Sequence, residues 1–208
     1  LPMTLENMIY HTAAVKRGTK RALVVGDLPF GSYQVSKEQA IENAIKMMKE
    51  SGAEAIKLEG GTRVAELIRE LTANGIPVMG HLGLTPQSVH EFGGYQTRAT
   101  SGTESQKLIE DARALEDAGV FALVLEKIPA QLAKKVTDSI TTPTIGIGAG
   151  PHCDGQVLVL YDMLGMYDEI RPKFVRRYAE LGFEIQESIK NYINDVQNGA
   201  FPGENESY

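Results

Sequence analysis

Six short apolar runs recur along the chain: ALVVGD (22 to 27), AIKLEG (55 to 60), PVMGH (77 to 81), ALVLEK (122 to 127), TIGIGAG (144 to 150) and VLVLYD (157 to 162). Runs that are apolar throughout, rather than alternating, suit strands covered on both faces, which is the habit of parallel sheets. Most are separated by segments with helix start and stop signals. Ser36-Lys37-Glu38-Gln39 has the form of a capping box before AIENAIKMMKE, and Thr103-Glu104-Ser105-Gln106 repeats that form before KLIEDARALEDAG. Gly75 and Gly119 stand where a helix end needs a left-handed residue, and Pro129 stands at a first helical turn. Leu1 to Gly18 reads as helical, Arg171 to Asn198 as one or two terminal helices, and Phe201 to Tyr208 as non-helical.

Strand, loop and helix in repetition give either a doubly wound sheet or a (βα) barrel. Five of the six runs end in polar, charged or glycine-rich groups: Asp27, Glu59, His81, Glu126 and the Gly146 to Gly150 turn. A barrel gathers such groups at its C-terminal face, whereas a doubly wound sheet spreads them about a switch point. The expected fold is therefore α/β, a (βα)8 TIM-type barrel. Such a barrel has eight strands in roughly 250 residues. With six strands in 208 residues, the chain is expected to be a single partial barrel domain over 1–208 that lacks the first two strands and ends in C-terminal helices.

Bulk properties narrow the function. A formal net charge of -6 gives no basic footprint for nucleic acid or an anionic membrane surface. No apolar run approaches the roughly 20 residues of a membrane span. Cys153 is the single cysteine, and the opening LPMTLENMIYHTAAV lacks the pattern of a secretory signal, so a reducing cytoplasm is the expected location.

The polar strand ends carry the candidate chemistry. Asp27 and Glu59 end neighbouring strands, where two carboxylates can converge on a hard cation such as Mg²⁺ or act only as caps and ion-pair partners. Lys57 shares a strand face with Glu59 and is suited either to a substrate carboxylate or to a salt bridge. Glu126, at the mouth of an apolar strand, has the setting of a general base or of a solvated strand end. His81 opens GHLGLTPQS, a tightly shaped loop in which it supports either catalysis or the loop itself. His152-Cys153-Asp154 is a poor metal site, because adjacent residues cannot surround an ion. The GIGAG turn is either an anion cradle or a place of close packing.

Several blocks together resemble one family. GHLGLTPQSV (80 to 89), FGGYQ (92 to 96), LVLEKIP (123 to 129), PTIGIGAG (143 to 150), DGQVLVLYD (154 to 162), PKF (172 to 174) and FPGENESY (201 to 208) are similar in order to blocks of ketopantoate hydroxymethyltransferase. YHTAAVKRG (10 to 18), DLPF (27 to 30) and KLEGG (57 to 61) match its earlier blocks. The resemblance implies a barrel of the phosphoenolpyruvate/pyruvate type that transfers a hydroxymethyl group from methylene-tetrahydrofolate to α-ketoisovalerate (3-methyl-2-oxobutanoate), giving ketopantoate for pantothenate synthesis. It also implies Mg²⁺ as cofactor and a homo-oligomer, commonly a decamer.

Matched motif by motif, the resemblance makes Asp27 a metal and substrate ligand, Glu59 a metal ligand and Lys57 a substrate-binding residue. Glu126 becomes the base and His81 a supporting group. The family's Gly-Asp-Ser block, which supplies a further metal ligand, has no counterpart here, and Gln96 and Tyr161 stand where the family tends to have lysine and histidine. Two other readings stay open at this level: a related metal-dependent carbon-carbon lyase or mutase, and a catalytically silent fragment.

Overall fold

The structure is a computed structural model that describes residues 1–208. The chain separates into two compact units, Leu1–Val157 and Leu158–Tyr208.

The first unit runs α1 (Leu5–Gly18), β1 (Val25–Asp27), α2 (Lys37–Ser51), β2 (Ala55–Lys57), α3 (Thr62–Ala73), β3 (Val78–Gly83), α4 (Val89–Phe92), α5 (Gly102–Asp117), β4 (Ala122–Glu126), α6 (Ala130–Ser139), β5 (Thr144–Ile147) and β6 (Gly155–Gln156). All six strands are parallel and neighbour one another in chain order. Helices between successive parallel strands give the expected α/β barrel arrangement in six strands.

Packing follows from the sequence pattern. Leu123 and Leu125 share one face of β4 and are completely buried, while Val124 on the opposite face is buried as well; Ile56 in β2 and Val78 in β3 are also completely buried. Helices cover the sheet through stripes at helical spacing: Ala40, Ala44 and Met47 in α2, Leu67, Ile68 and Leu71 in α3, Leu132, Ala133 and Val136 in α6. Each large side chain so buried contributes about 1.5–3 kcal/mol. Gly26 lets α2 approach β1, since a Cβ there would lie 2.8 Å from Met47 Cγ.

Helix ends follow their caps. Ser36 Oγ accepts from the Gln39 amide at 3.2 Å, and Gly52 closes α2 in the left-handed region. Gly75 and Gly119 also adopt positive φ. Pro129 is the N-cap of α6 rather than a residue of its first turn, and residues 171–180 stay outside the terminal helix, which begins at Leu181. Two further expectations need correction. The cap of α5 is Ser101, whose Oγ accepts from the Glu104 amide at 3.2 Å, two residues before the expected Thr103. The helix therefore starts two residues earlier than expected, at Gly102.

The second correction concerns VLVLYD, which is not a strand. Pairing with β5 stops at Gln156, with one further bond from the Val157 amide to the Gly146 carbonyl. β5 ends at Ile147 and the chain turns at Gly148, φ 63°. No neighbouring backbone remains for VLVLYD to pair with, so its apolar character alone cannot make it a strand.

In the second unit that run instead enters α7 (Leu160–Met163), and α8 (Leu181–Gln197) follows. Arg177 organises this unit through ion pairs to Asp168 at 2.8 Å and Glu180 at 2.9 Å and a bond to the Tyr167 carbonyl at 2.7 Å. α8 has no buried residue.

Candidate active site

Five polar side chains from four consecutive strands meet at the C-terminal ends of β1 to β4. Asp27 closes β1 opposite Lys57, and the Leu28 amide continues the ladder to the Lys57 carbonyl at 2.9 Å. Beyond β2 the chain stays extended, so that the amides of Leu58 and Gly60 bond to Met79 and His81 carbonyls at 3.3 and 3.2 Å. Glu59 is thereby carried alongside His81 of β3. Glu126 sits opposite Gly83 across β3 and β4. Only glycine fits position 83: its φ is +91°, and a Cβ would lie 2.3 Å from the Glu126 carbonyl oxygen. After Glu126 the chain turns through Lys127 at positive φ, held by the Arg98 amide on its carbonyl at 3.0 Å.

The contacts run in a chain through the cluster. Lys57 Nζ lies 2.8 Å from Asp27 Oδ1, 3.9 Å from Glu59 Oε1 and 3.4 Å from His81 Nδ1. His81 Nδ1 is 3.7 Å from Glu59 Oε1, and its Nε2 is 3.2 Å from Glu126 Oε2. Asp27 Oδ1 and His81 Nε2 are nevertheless buried without an aligned hydrogen bond. Both approaches are close without being formed hydrogen bonds, which leaves an acceptor and a ring nitrogen ready for another partner.

Glu59 and His81 are only 3% exposed. Burial pushes the Glu59 carboxyl above the ordinary carboxylate range. Lys57 and His81, followed by the Gln87 amide, pull it back down, while Asp27 adds to the rise. Lys57 forms the salt bridge that spacing allowed, and its ammonium still faces two carboxylates at once.

Two residues that the sequence reading did not single out join this site. Tyr33 is buried in the loop after β1, where desolvation pushes its phenol well up. Its hydroxyl accepts from the Glu59 amide at 3.1 Å and lies 2.8 Å from Gln87 Oε1. Gln87 belongs to the one-turn 3-10 helix Pro86–Ser88 and donates its amide to Glu59 Oε2 at 2.9 Å. The Thr85-Pro86 pair was a signal for a shaped loop; nothing local marks Tyr33.

The other motifs have structural roles. Asp154 Oδ2 accepts from the Thr144 amide at 2.8 Å and from its hydroxyl at 3.1 Å, stapling the loop to β5. Gly146 of GIGAG gives the following loop room, since a Cβ there would be 3.0 Å from Cys153 Sγ. A cavity of about 560 Å³ lies beside the cluster, reached from Gly60, Gly61 and Gly83, but none of the five side chains lines it. Its Arg98 and Lys107 are already paired with Glu104 and Asp111.

Residues 1–204 match the family model described as ketopantoate hydroxymethyltransferase. The chain belongs to this family. A 3-methyl-2-oxobutanoate hydroxymethyltransferase of Chlorobaculum tepidum is 55% identical over 212 residues, and one of Prosthecochloris aestuarii is 57% identical over 212. Each alignment covers 100% of this chain and 76% of the relative. Among solved structures, phosphonopyruvate hydrolase aligns with 99% of this chain and 73% of its own, with a TM-score of 0.53 at 12% identity, a likeness of fold alone. The family is one of transferases, and no helix is long and apolar enough to cross a membrane.

Proposed function

We propose that the chain transfers a hydroxymethyl group from methylene-tetrahydrofolate to 3-methyl-2-oxobutanoate, with the charged cluster at the ends of β1 to β4 as its active site. Family membership supports the reaction. The observation that carries the placement is the convergence on Lys57 and His81 of three carboxylates, Asp27, Glu59 and Glu126.

Lys57 binds the carboxylate of the ketoacid. Its ammonium lies at the centre of the cluster, 17% exposed, where a charge-assisted bond is strong. Glu126 is the base that takes the proton from C3 of the ketoacid. Its neighbour His81 flanks that carboxylate, with Nε2 3.2 Å from Oε2, beside the Lys57 site. The carbanion carbon forms the new bond to the folate-borne methylene carbon and water supplies the hydroxyl oxygen, while both C–N bonds of that methylene break; the two folate nitrogens take up the proton removed from C3 and one proton of the water.

Mg²⁺ is proposed as the cofactor, with Asp27 and Glu59 as its protein ligands. The orphaned Asp27 Oδ1 and the buried Glu59 carboxylate fit a hard cation. No group of three or more His, Cys, Asp or Glu forms a cage, but Mg²⁺ characteristically takes one or two carboxylates and completes its shell with water and substrate oxygens. When bound, it supplies Lewis-acid polarisation of the ketoacid oxygens. A cytoplasmic homo-oligomer, decameric as in the family resemblance, completes the proposal.

The test is product formation. Protein incubated with 3-methyl-2-oxobutanoate, methylene-tetrahydrofolate and Mg²⁺ is expected to yield ketopantoate, read by mass spectrometry; absence of that product, with folded protein, removes the reaction assignment.

A further inference from the structure

We propose that Tyr33 and Gln87 form a positioning clamp that holds the Glu59 carboxylate and the Asp27 strand end in one fixed geometry. The inference rests on the reading of Asp27 and Glu59 as metal ligands.

The two carboxylates stand on different strands, at or just past the last rungs of the β1–β2 ladder. A binding centre shared by them needs their separation held to within about 0.5 Å, which short strands alone do not provide. Gln87 reaches both sides of the gap. Its backbone amide donates to Glu59 Oε2 at 2.9 Å, and its side-chain Nε2 donates to the carbonyl of Leu28, the residue after Asp27, at 2.9 Å.

Tyr33 completes the unit. Its hydroxyl has a single proton, and Gln87 Oε1 at 2.8 Å is a better acceptor than the Glu59 carbonyl at 3.4 Å. The same oxygen accepts the Glu59 amide, so one phenol fixes the Glu59 backbone while orienting the side chain of Gln87. The amide orientation of Gln87 follows from its partners: Oε1 faces the donors Tyr33 and Gln34, and Nε2 faces a carbonyl. Reversing it would set Oε1 against the Leu28 carbonyl and Nε2 against the Gln34 amide nitrogen, breaking both of those bonds. Neither residue meets a reacting atom; both act through Glu59 and Asp27, as outer groups of metal centres do.

The experiment compares Tyr33→Phe, Gln87→Met and the double variant with the parent, using Glu59→Gln as reference. Mn²⁺ affinity is read by electron paramagnetic resonance with Mg²⁺ competition, beside kcat and the KM values for Mg²⁺ and ketoacid. Each single variant is expected to weaken Mn²⁺ binding about tenfold, with kcat largely restored at high Mg²⁺. The double variant should be little worse than either single, because the bonds act as one unit.

If Glu59→Gln weakens Mn²⁺ binding while both clamp variants bind as the parent does, the clamp is overturned and the ligand assignment stands. If Glu59→Gln binds Mn²⁺ normally, the ligand assignment fails and takes the clamp with it. Should Tyr33→Phe not fold, Gln87→Met decides alone, since its side chain is only partly buried and its backbone amide stays in place.

Discussion

The middles and the ends of the same strands obey opposite rules. In the middle of β4, Leu123 and Leu125 are fully buried among other apolar groups. One residue further, Glu126 is 16% exposed and faces His81. Likewise Ile56 is buried in β2, while Lys57 beside it is held between carboxylates. Strand middles gain stability from apolar contact. Strand ends gather charges whose desolvation is only partly offset, which costs stability and leaves groups free to act on a ligand.

That contrast can be broken by substitution. The largest effect is expected from Glu126→Gln, which should lower the rate of C3 hydrogen exchange in the ketoacid by about 10²–10⁴-fold while barely moving the thermal midpoint. Exchange measured by NMR in deuterated water checks this, and unimpaired exchange removes Glu126 as the base. The reverse pattern is expected in the strand middle. Leu123→Ala should cost about 2–5 kcal/mol in urea unfolding, with the folded fraction retaining its turnover. A loss below about 1 kcal/mol would mean that β4 is not the packed centre of the sheet.

Lys57→Met sharpens the comparison, because it exchanges a charged group for an apolar one at a strand end. The KM for the ketoacid should rise about 10–100-fold, in keeping with the loss of one charge-assisted bond. A rise confined to the folate KM would reassign Lys57.

Smaller effects belong to local signals. Ser36→Ala, which removes the cap of α2, should destabilise by about 1 kcal/mol in the same unfolding assay. Ile189→Ser, on a helix with no buried residue, should stay within about 0.5 kcal/mol; a larger loss would show that α8 is packed in solution.

How much was legible varied with the range of the interaction. Unbroken apolar runs separated by capped helices gave parallel α/β architecture, because strand burial and helix capping depend on neighbouring residues. Asp27, Lys57, Glu59, His81 and Glu126 were readable as candidates because a barrel sends the ends of its strands to one face, and the structure does bring these five together. The roles proposed for them come from the family's motifs and the chemistry of the groups. VLVLYD shows the limit of the same reasoning: its composition suits a strand, but a strand also needs a backbone to pair with, and β5 has turned away by then.

By itself, then, the sequence determined the class of fold, the family and which polar residues stand at strand ends, all of which depend on local pattern or on ordered motifs. Only the tertiary structure decided that Lys57 bridges Asp27 and Glu59, and that Tyr33 and Gln87 hold Glu59. Those contacts join residues 26 and 54 positions apart in the case of Tyr33. Hydrogen bonds of that range leave no period in the chain, since they are created only when β1, β2 and the loop after β3 are packed side by side.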